Sequence, residues 1–145
     1  MTSKVDRNKT NAVAFIEAIG RQDPGLLSMY AAEGRFFQNG RTLPTAGWHT
    51  LATLEKITPA ILHQFPSGMR FSFDSILAAE DWVVIESESR AVLRDGTPYN
   101  NQYVFVFRFD DAGKILEFKE YWDTLHARET LFRNGPLEKP ATDMA

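Results

Sequence analysis

The stretch from Trp82 to Asp123 constrains the fold most, because it predicts three long strands in succession. Val, Ile, Tyr, Phe and Trp dominate it, and these residue types suit the pleated surface of a sheet. Residues 94–98 and 110–114 divide it, and each of these segments contains a glycine that can supply the positive φ of a tight turn. We therefore predict a large antiparallel meander. Its strands are residues 82–94, 98–110 and 114–123.

Alternation along the second and third strands of this meander places large aromatic residues and a few polar ones on a common face. On the second strand this face carries Tyr99, Asn101, Tyr103, Phe105, Phe107 and Phe109. On the third strand it carries Leu116, Phe118, Glu120 and Trp122. Polar groups set among large apolar ones on neighbouring strands are typical of a lined pocket.

The first strand of the meander allows two interpretations. If Glu86, Glu88 and Arg90 face inward, the two carboxylates lie about 7 Å apart by strand rise, and desolvation raises their pKa toward the range useful for acid/base work. If Val83 and Ile85 face inward instead, the charged residues form an ordinary solvated face. We take Glu86 and Glu88 as candidate catalytic residues, and the sequence leaves both interpretations open.

Helix patterns precede these strands. We predict a helix over residues 8–20, a short helix after Asp23-Pro24, a short strand at 34–38, a helix from 48 to about 65 that Pro59 kinks or splits, and a strand from 69 to 78. A last helix is expected over residues 124–132. Residues 1–7 and 137–145 are expected to be loose termini.

Runs of helices followed by runs of strands indicate the α+β class. At 145 residues we predict one domain spanning residues 1–145. A sheet this long and twisted must curl, so we expect a cone-shaped α+β barrel. Its strongly curved, mostly antiparallel sheet would be covered by three N-terminal helices, with a pocket at the wide end.

Composition excludes several functional classes. A formal net charge of −3 without a basic stretch argues against a nucleic-acid or anionic-membrane partner. The chain has no Cys, which excludes thiol nucleophiles and thiolate metal sites. The polar N-terminus lacks a signal-peptide core and no apolar run could span a bilayer, so we expect a cytoplasmic protein. Three dispersed His residues and the lack of a phosphate-binding loop predict neither metal nor cofactor.

Several segments together resemble the nuclear-transport-factor-2-like (NTF2-like) superfamily, and within it the SnoaL-like branch related to ketosteroid isomerases. The resemblance rests on Asp23-Pro24, Met29 to Ala32, Tyr99 to Tyr103, Gly113 to Ile115 and Glu120 to Ala127. It implies a small molecule bound in the cone and a homodimer formed through the convex face of the sheet. Gln102, Val104 and Val106 offer an uncharged centre for that second interface.

The positions that carry known activities in this superfamily differ here. The resemblance implies that three functional positions of ketosteroid isomerases correspond to other residue types in this chain. Their carboxylate base corresponds to Gln38, their oxyanion-binding Tyr to Phe15 and their protonated Asp to Phe105, so that specific activity is not expected. The Arg-x-Asp piece of limonene-epoxide-hydrolase-like members is absent at residues 89–91, although Glu120 could stand for one acid of their set.

The candidate site residues follow from these faces. Glu86 or Glu88 with Glu120 would form an acid/base pair, Tyr103 would donate to a developing oxyanion, and His49 could act as a base at the pocket mouth. Asn101 would orient a substrate carbonyl. The other candidate substrate-binding residues are Arg90, Trp122, Phe15, Gln38, Phe105, Phe118 and Trp48.

The sequence therefore predicts an acid/base enzyme that needs no cofactor. It would act as an isomerase, dehydratase, cyclase or lyase on a small apolar molecule, aromatic or polycyclic, bound in the cone pocket. Two alternatives stay open. One is a non-catalytic small-molecule-binding or dimeric scaffold module, and the other is an epoxide hydrolase that activates water through a carboxylate.

Overall fold

The structure is a computed structural model that describes residues 2–137. The helical elements are α1 (Lys4–Gly20), a 3₁₀-helix (Leu26–Met29), α2 (Leu51–Leu62) and α3 (Thr124–Glu129). The strands are β1 (Tyr30–Gln38), β2 (Gly47–Thr50), β3 (Arg70–Ala79), β4 (Trp82–Val92), β5 (Pro98–Tyr99), β6 (Gln102–Phe109) and β7 (Ile115–Trp122). Most of the expected C-terminal tail, residues 138–145, lies outside the described residues.

The N-terminal helix begins earlier than predicted. Its N-cap is Ser3, whose hydroxyl accepts a hydrogen bond from the Asp6 amide at 3.1 Å, so α1 starts at Lys4 and residues 4–7 are not a loose arm. The helix buries one stripe against the sheet. Phe15 in this stripe makes edge-on contacts with the rings of Tyr30 and Phe107 at 5.4 and 5.8 Å.

The strands form one open, mixed sheet in the order β2-β1-β7-β6-β4-β3, with β5 added beside β4. Neighbouring strands are antiparallel except β1 and β7, which run parallel. The predicted meander is confirmed as β4, β6 and β7, with β3 at its outer edge. The helices α1 and α2 and the 3₁₀-helix precede β3 to β7, but the nine-residue β1, predicted as a short strand at 34–38, comes before α2. This arrangement matches the predicted α+β cone, although the sheet does not close into a barrel.

The second strand of the meander is interrupted at residues 100–101. The Asn101 side chain accepts hydrogen bonds from the Gln102 and Asp123 amides at 2.7 and 3.2 Å, and it donates to the Asp123 carbonyl at 3.3 Å. It therefore supplies contacts that a neighbouring strand would otherwise make. Asn101 is buried, and these hydrogen bonds give it a structural role.

The helix predicted from residue 48 begins three residues later. Trp48 and His49 belong to β2, which pairs with Phe37 and Phe36 of β1. The Thr50 hydroxyl then accepts from the Thr53 amide at 3.3 Å and caps α2. The helix continues to Leu62 with Pro59 inside it, so Pro59 does not split it.

The charged face of β4 points away from the core, so the inward interpretation of this strand is wrong. Its other face carries Val83, Ile85, Ser87 and Ser89, all buried opposite β6. The serine hydroxyls are satisfied there: Ser87 donates to the Ser72 carbonyl at 2.6 Å, and Ser89 lies 2.9 Å from the Tyr103 hydroxyl. Small satisfied hydroxyls can be buried at little cost, whereas unpaired carboxylates cannot.

Candidate functional site

A cavity of about 120 Å³ lies between the helices and the inner face of the sheet. Aromatic and aliphatic side chains make up most of its wall. Its polar wall residues are Tyr30, Gln38, Thr45, Thr58, Tyr99, Tyr103, Glu120 and Trp122. Among the wall residues that the structure describes, Glu120 is the single carboxyl group, and none is Lys, Arg or His. The site is thus one acid in an apolar chamber.

Glu120 is positioned by strand register. It lies on the inner face of β7, opposite Phe105 on antiparallel β6 and opposite Gln38 on parallel β1. Phe118 and Trp122 are the neighbouring residues on the same face of β7, one on either side of Glu120. They were predicted to share its orientation, and the structure confirms this prediction. The carboxyl group is therefore flanked by aromatic rings along its strand and by one amide across it.

The surroundings of Glu120 favour its neutral form. Burial raises the pKa of Glu120 from its ordinary value of 4.5 to about 7, and a hydrogen bond from Gln38 acts in the opposite direction. The Gln38 Nε2 donates to Glu120 Oε2 at 2.6 Å. Because Oε2 is held by Gln38, Oε1 is the oxygen left to exchange a proton with a bound molecule. A carboxyl group with a pKa near neutrality serves well as both acid and base.

A chain of hydrogen bonds orients the Gln38 amide. The Thr45 hydroxyl donates to Gln38 Oε1, so the amide nitrogen is the end that faces Glu120. His49 is fully buried, and its Nε2 lies 2.6 Å from the Thr45 carbonyl oxygen. Because a carbonyl only accepts, Nε2 carries the hydrogen of that bond. His49 therefore lies behind the cavity wall, not at its mouth, and the predicted placement was wrong.

Tyr99 and Tyr103 belong to a second polar group in the wall. The Tyr103 hydroxyl donates to the Tyr99 hydroxyl at 3.3 Å and lies 2.9 Å from Ser89 Oγ. The Asn101 Nδ2 donates to Tyr99 at 3.0 Å. Burial raises the pKa of both tyrosines, and the charge of Glu120 adds to the effect. These phenols stay protonated at neutral pH, and their hydroxyls are engaged with protein groups.

Tyr30 is the third phenol of the wall. It is 6% exposed, and burial followed by the Glu120 charge raises its pKa above the ordinary value. Trp122 also lines the cavity, and its buried indole N–H has no hydrogen-bond partner among the described residues.

The structure brings seven of the thirteen predicted site residues into the cavity wall. They are Glu120, Tyr103, Trp122, Phe15, Gln38, Phe105 and Phe118. Glu86 and Arg90 are exposed on the outer face of β4, and Glu88 accepts a hydrogen bond from Gln102 there at 3.0 Å. An acid/base pair of Glu120 with either β4 glutamate is therefore not present.

Three further predicted residues, Trp48, Asn101 and His49, do not line the cavity. Trp48 lies on the outer face of the sheet, where the Arg35 guanidinium stacks 3.8 Å from the centre of its ring. It was predicted as a substrate-binding residue at the start of a helix, whereas it belongs to β2. Asn101 and His49 are buried next to the wall and support it through hydrogen bonds.

Sequence reasoning missed Tyr30 and Thr45. Tyr30 was assigned to the end of a helix, whereas it is the first residue of β1. Thr45 was treated as part of a plain loop. An earlier start of the strand, signalled by the run of Tyr30 to Phe37 with aromatic residues at both ends, would have revealed Tyr30. Nothing in the sequence marks Thr45.

No helix within residues 2–137 has both the length and the apolar content needed to cross a membrane. In the same range, no three His, Asp or Glu side chains are grouped so that they could hold a metal ion. The candidate site therefore consists of the cavity and the groups in its wall.

Similar structures share the architecture of this chain. A presumed isomerase from Bacillus subtilis superposes with a TM-score of 0.79 at 15% identity, over 94% of this chain and 99% of the other. BvnE pinacolase from Penicillium brevicompactum gives 0.74 at 18% identity, over 88% and 94%. An NTF2-like protein of unknown function from Burkholderia pseudomallei gives 0.69 at 20% identity, over 85% and 95%.

These identities are low, so the structural matches show the fold and not the reaction. No curated protein matches the sequence significantly. The family model of the SnoaL-like domain, however, matches residues 12–118, which is most of the chain and ends just before Glu120. Together with the cone-shaped α+β architecture, this match shows that the chain belongs to the SnoaL-like domain family of the NTF2-like superfamily.

Proposed function

We propose that the protein is an acid/base isomerase that acts without a cofactor on a small, uncharged molecule, with Glu120 as the group that removes and returns the proton. One observation carries the proposal: Glu120 is the single carboxyl group among the described wall residues, and desolvation among aromatic rings raises its pKa to about 7. At neutral pH such a group is present both as carboxylate and as acid, and both forms are needed in one turnover.

The step is a proton shift between two carbon atoms. The Glu120 carboxylate takes a proton from the carbon next to a carbonyl, and the electron pair of the broken C–H bond moves onto the carbonyl oxygen as an enolate. In a substrate whose carbon–carbon double bond adjoins the deprotonated carbon, this enolate is a dienolate. The protonated Glu120 returns the proton to the far carbon of that double bond, the carbonyl reforms, and the carbon–carbon double bond has moved next to the carbonyl. Atoms and electrons balance within the substrate, so this acid/base chemistry requires no co-reactant.

A single acid favours isomerisation over the other predicted reactions. Dehydration and epoxide opening need a second group that protonates a leaving or ring oxygen, and the β4 glutamates proposed for this role lie on the outer face. The partnered hydroxyls of Tyr99 and Tyr103 are weak acids, since burial raises their pKa. We therefore place isomerisation ahead of dehydration, cyclisation, lyase chemistry and epoxide hydrolysis.

The size of the cavity and its lack of cations support a compact substrate. A volume of about 120 Å³ is below the roughly 300–1,000 Å³ of pockets for drug-sized ligands and close to that of a cavity that holds benzene, about 150 Å³. No described wall residue could neutralise a substrate carboxylate or phosphate. These facts favour an uncharged, monocyclic molecule over the polycyclic one expected from the sequence.

The proposal is tested with cyclohexanone in D₂O. We expect the wild-type protein, with no added metal or cofactor, to accelerate exchange of the hydrogens beside the carbonyl, as followed by proton NMR. Glu120→Gln keeps the size and the hydrogen-bonding capacity but cannot take a proton. The exchange rate should therefore fall by about 10²- to 10⁴-fold, the usual contribution of a general base.

The matched control is Glu86→Gln, which makes the same change on the outer face and should leave the exchange rate at the wild-type value. If cyclohexanone binds in the cavity but exchanges no faster than in buffer, the protein is a binding module and the proposed activity is wrong. If Glu86→Gln slows exchange as much as Glu120→Gln, the assignment of the base is wrong.

A further inference from the structure

We propose that the Tyr30 hydroxyl is the oxygen-binding group of the cavity, and that the ligand is accordingly a ketone or an aldehyde whose carbonyl oxygen accepts its hydrogen bond. This inference rests on the proposed function for the role of Glu120, but it concerns a different residue, a different strand and a separate measurement. Neither the sequence nor the comparisons assign a role to Tyr30.

The first observation is that the Tyr30 hydroxyl has no hydrogen-bond partner among residues 2–137, although the side chain is 6% exposed. A buried hydroxyl without a partner destabilises the folded protein, so native structures rarely leave one unsatisfied. The oxygen still retains some accessible surface, and the ring lines the cavity. A ligand oxygen in the cavity would supply the missing acceptor.

The second observation is that, apart from Thr58 of α2, the other described donors of the wall are already engaged or out of reach. The hydroxyls of Tyr99 and Tyr103 hydrogen-bond each other and their neighbours Ser89 and Asn101. The indole N–H of Trp122 is unpaired, but its nitrogen is fully buried, so a ligand would reach it only after rearrangement. Tyr30 is therefore the buried donor that a bound molecule can use without breaking an existing bond. The Thr58 hydroxyl also has no described partner, but Thr58 is half-buried and lies on the helix side of the cavity.

The packing around Tyr30 holds its ring in place. The ring meets Phe15 of α1 edge-on at 5.4 Å, and it approaches Gly34 so closely that a Cβ there would lie 2.8 Å from Tyr30 Cδ1. The glycine thus makes room for the ring. A donor fixed in advance loses little entropy when it binds an oxygen, and it can stabilise charge that develops on that oxygen.

The electrostatics match a carbonyl ligand. Burial, followed by the charge of Glu120, raises the pKa of Tyr30, so the phenol remains a donor at neutral pH. Among the described residues, the titratable groups that face the same cavity are Glu120 of β7, Tyr99 of β5 and Tyr103 of β6. A neutral acceptor oxygen is compatible with all of them, whereas an anionic oxygen would be repelled by ionised Glu120, and no described wall residue is a cation that could offset this repulsion.

The proposal places the ligand between two groups that line the same cavity, Tyr30 and Glu120. The carbonyl oxygen would lie on the β1 side of the chamber at Tyr30, and the carbon that loses its proton would lie beside Glu120 Oε1. Enolate formation moves charge onto the oxygen, so the Tyr30 hydrogen bond would strengthen along the reaction. The residue would then act as a catalytic residue, since it touches the reacting atoms.

The test uses cyclohexanone labelled with carbon-13 at the carbonyl, bound to the intact protein. A donor to the carbonyl oxygen shifts this resonance downfield of its position in an apolar solvent. We expect the downfield shift in the wild type, its loss in Tyr30→Phe, and about two- to tenfold weaker binding in that variant, which corresponds to one hydrogen bond. Tyr103→Phe is the matched control, because it removes a phenol hydroxyl that already has protein partners; it should keep the shift.

The outcomes separate this inference from the proposed function. If the shift persists in Tyr30→Phe and disappears in Tyr103→Phe, the oxygen is bound at the Tyr99 and Tyr103 pair and the inference is wrong. If no variant alters the shift, the ligand oxygen has no phenol donor and the inference is equally wrong. Both results leave the Glu120-dependent exchange of hydrogen untouched, since that experiment follows a different bond.

Discussion

Glu117 and Glu120 lie three residues apart on β7, and the sheet gives them opposite chemistry. Glu117 is on the outer face and 7% exposed, and it accepts hydrogen bonds from Arg35 at 2.6 Å and Arg108 at 3.3 Å. Burial would raise its pKa, but the hydrogen bonds and charges of the two arginines outweigh burial and lower it. Glu120 is on the inner face, where one amide is its only described hydrogen-bonding partner, and its pKa is raised to about 7.

The comparison shows that burial alone does not decide what a carboxyl group does. Desolvation acts on both residues, but one faces cations and the other faces aromatic rings. The outer glutamate is a permanent anion that joins β1, β6 and β7 through its arginine partners. The inner glutamate can gain and lose a proton near neutral pH, so it alone is suited to acid/base work.

The pH dependence of stability should distinguish the two glutamates most strongly. The pKa of Glu120 rises on folding from 4.5 to about 7, so the folded state holds the proton more tightly than the unfolded chain. Stability from this group is full below pH 4.5 and is lost as pH rises toward 7, on the order of 3 kcal/mol in total. Urea unfolding of Glu120→Gln between pH 4 and 8 should therefore lack this decline.

Glu117→Gln should change the acidic range of the profile of stability against pH. Its folded pKa is lowered, so its contribution is present above the unfolded value of 4.5 and is lost as pH falls through the folded pKa. The variant should be less stable than the wild type near pH 7 and should lose the acid-side decline. Identical pH profiles for the two variants would show that the environments of the two glutamates do not differ.

A smaller effect should follow from Thr45→Val. Without the Thr45 hydroxyl, Gln38 Oε1 loses its donor, and the amide is free to turn its oxygen toward protonated Glu120. Loss of the donor to the carboxylate favours the acid, so the pKa of Glu120 should rise above its wild-type value. Carbon-13 NMR of the Glu120 carboxyl group measures the change directly.

Thr45→Ser keeps the hydroxyl and should restore the wild-type titration. Thr42→Val, an exposed position of the same loop, should have no effect. If Glu120 titrates identically in Thr45→Val and the wild type while the variant remains folded, Thr45 does not control the orientation of the amide.

A substitution on the outer face of the sheet should have the smallest effect on stability. The homodimer expected to form through this face remains a prediction. Trp82, Val104 and Tyr121 are 38%, 37% and 40% exposed there. Val104→Lys should convert a dimer to monomers in analytical ultracentrifugation while altering stability by less than about 0.5 kcal/mol. Leu125→Lys, on α3 and away from this face, is the control. A wild-type protein that sediments as a monomer would show that the dimer prediction is wrong.

The sequence predicted much of the fold because alternation and turn chemistry are local signals. The turn at residues 110–114 forms as expected: Gly113 has a φ of 82°, and the Asp110 side chain accepts from the Ala112 and Lys114 amides at 2.9 Å. The inward aromatic faces of β6 and β7 were also correct. Such patterns need no knowledge of distant partners.

The site was predicted only in part because its decisive contacts are distant in sequence. The alternation of Glu86 and Glu88 along β4 fits an inward face as well as an outward one. Only the burial of Ser87 and Ser89, whose hydroxyls have hydrogen-bond partners, decides the orientation of the strand. Gln38 reaches Glu120 across 82 positions in the sequence. No local pattern signals that contact, so the environment of the acid could not be predicted from its neighbours.

The parallel pairing of β1 with β7 has a consequence for how the protein is made. Among the described strands, β7 lies between β1 and β6, so it is the link that joins the β1–β2 pair to the rest of the sheet. During synthesis, β1 is made early, and nearly the whole chain must be made before its partner β7 is available. Contacts of such high sequence separation slow folding. A chain that stops before β7 therefore lacks both Glu120 and the strand that joins β1 to β6.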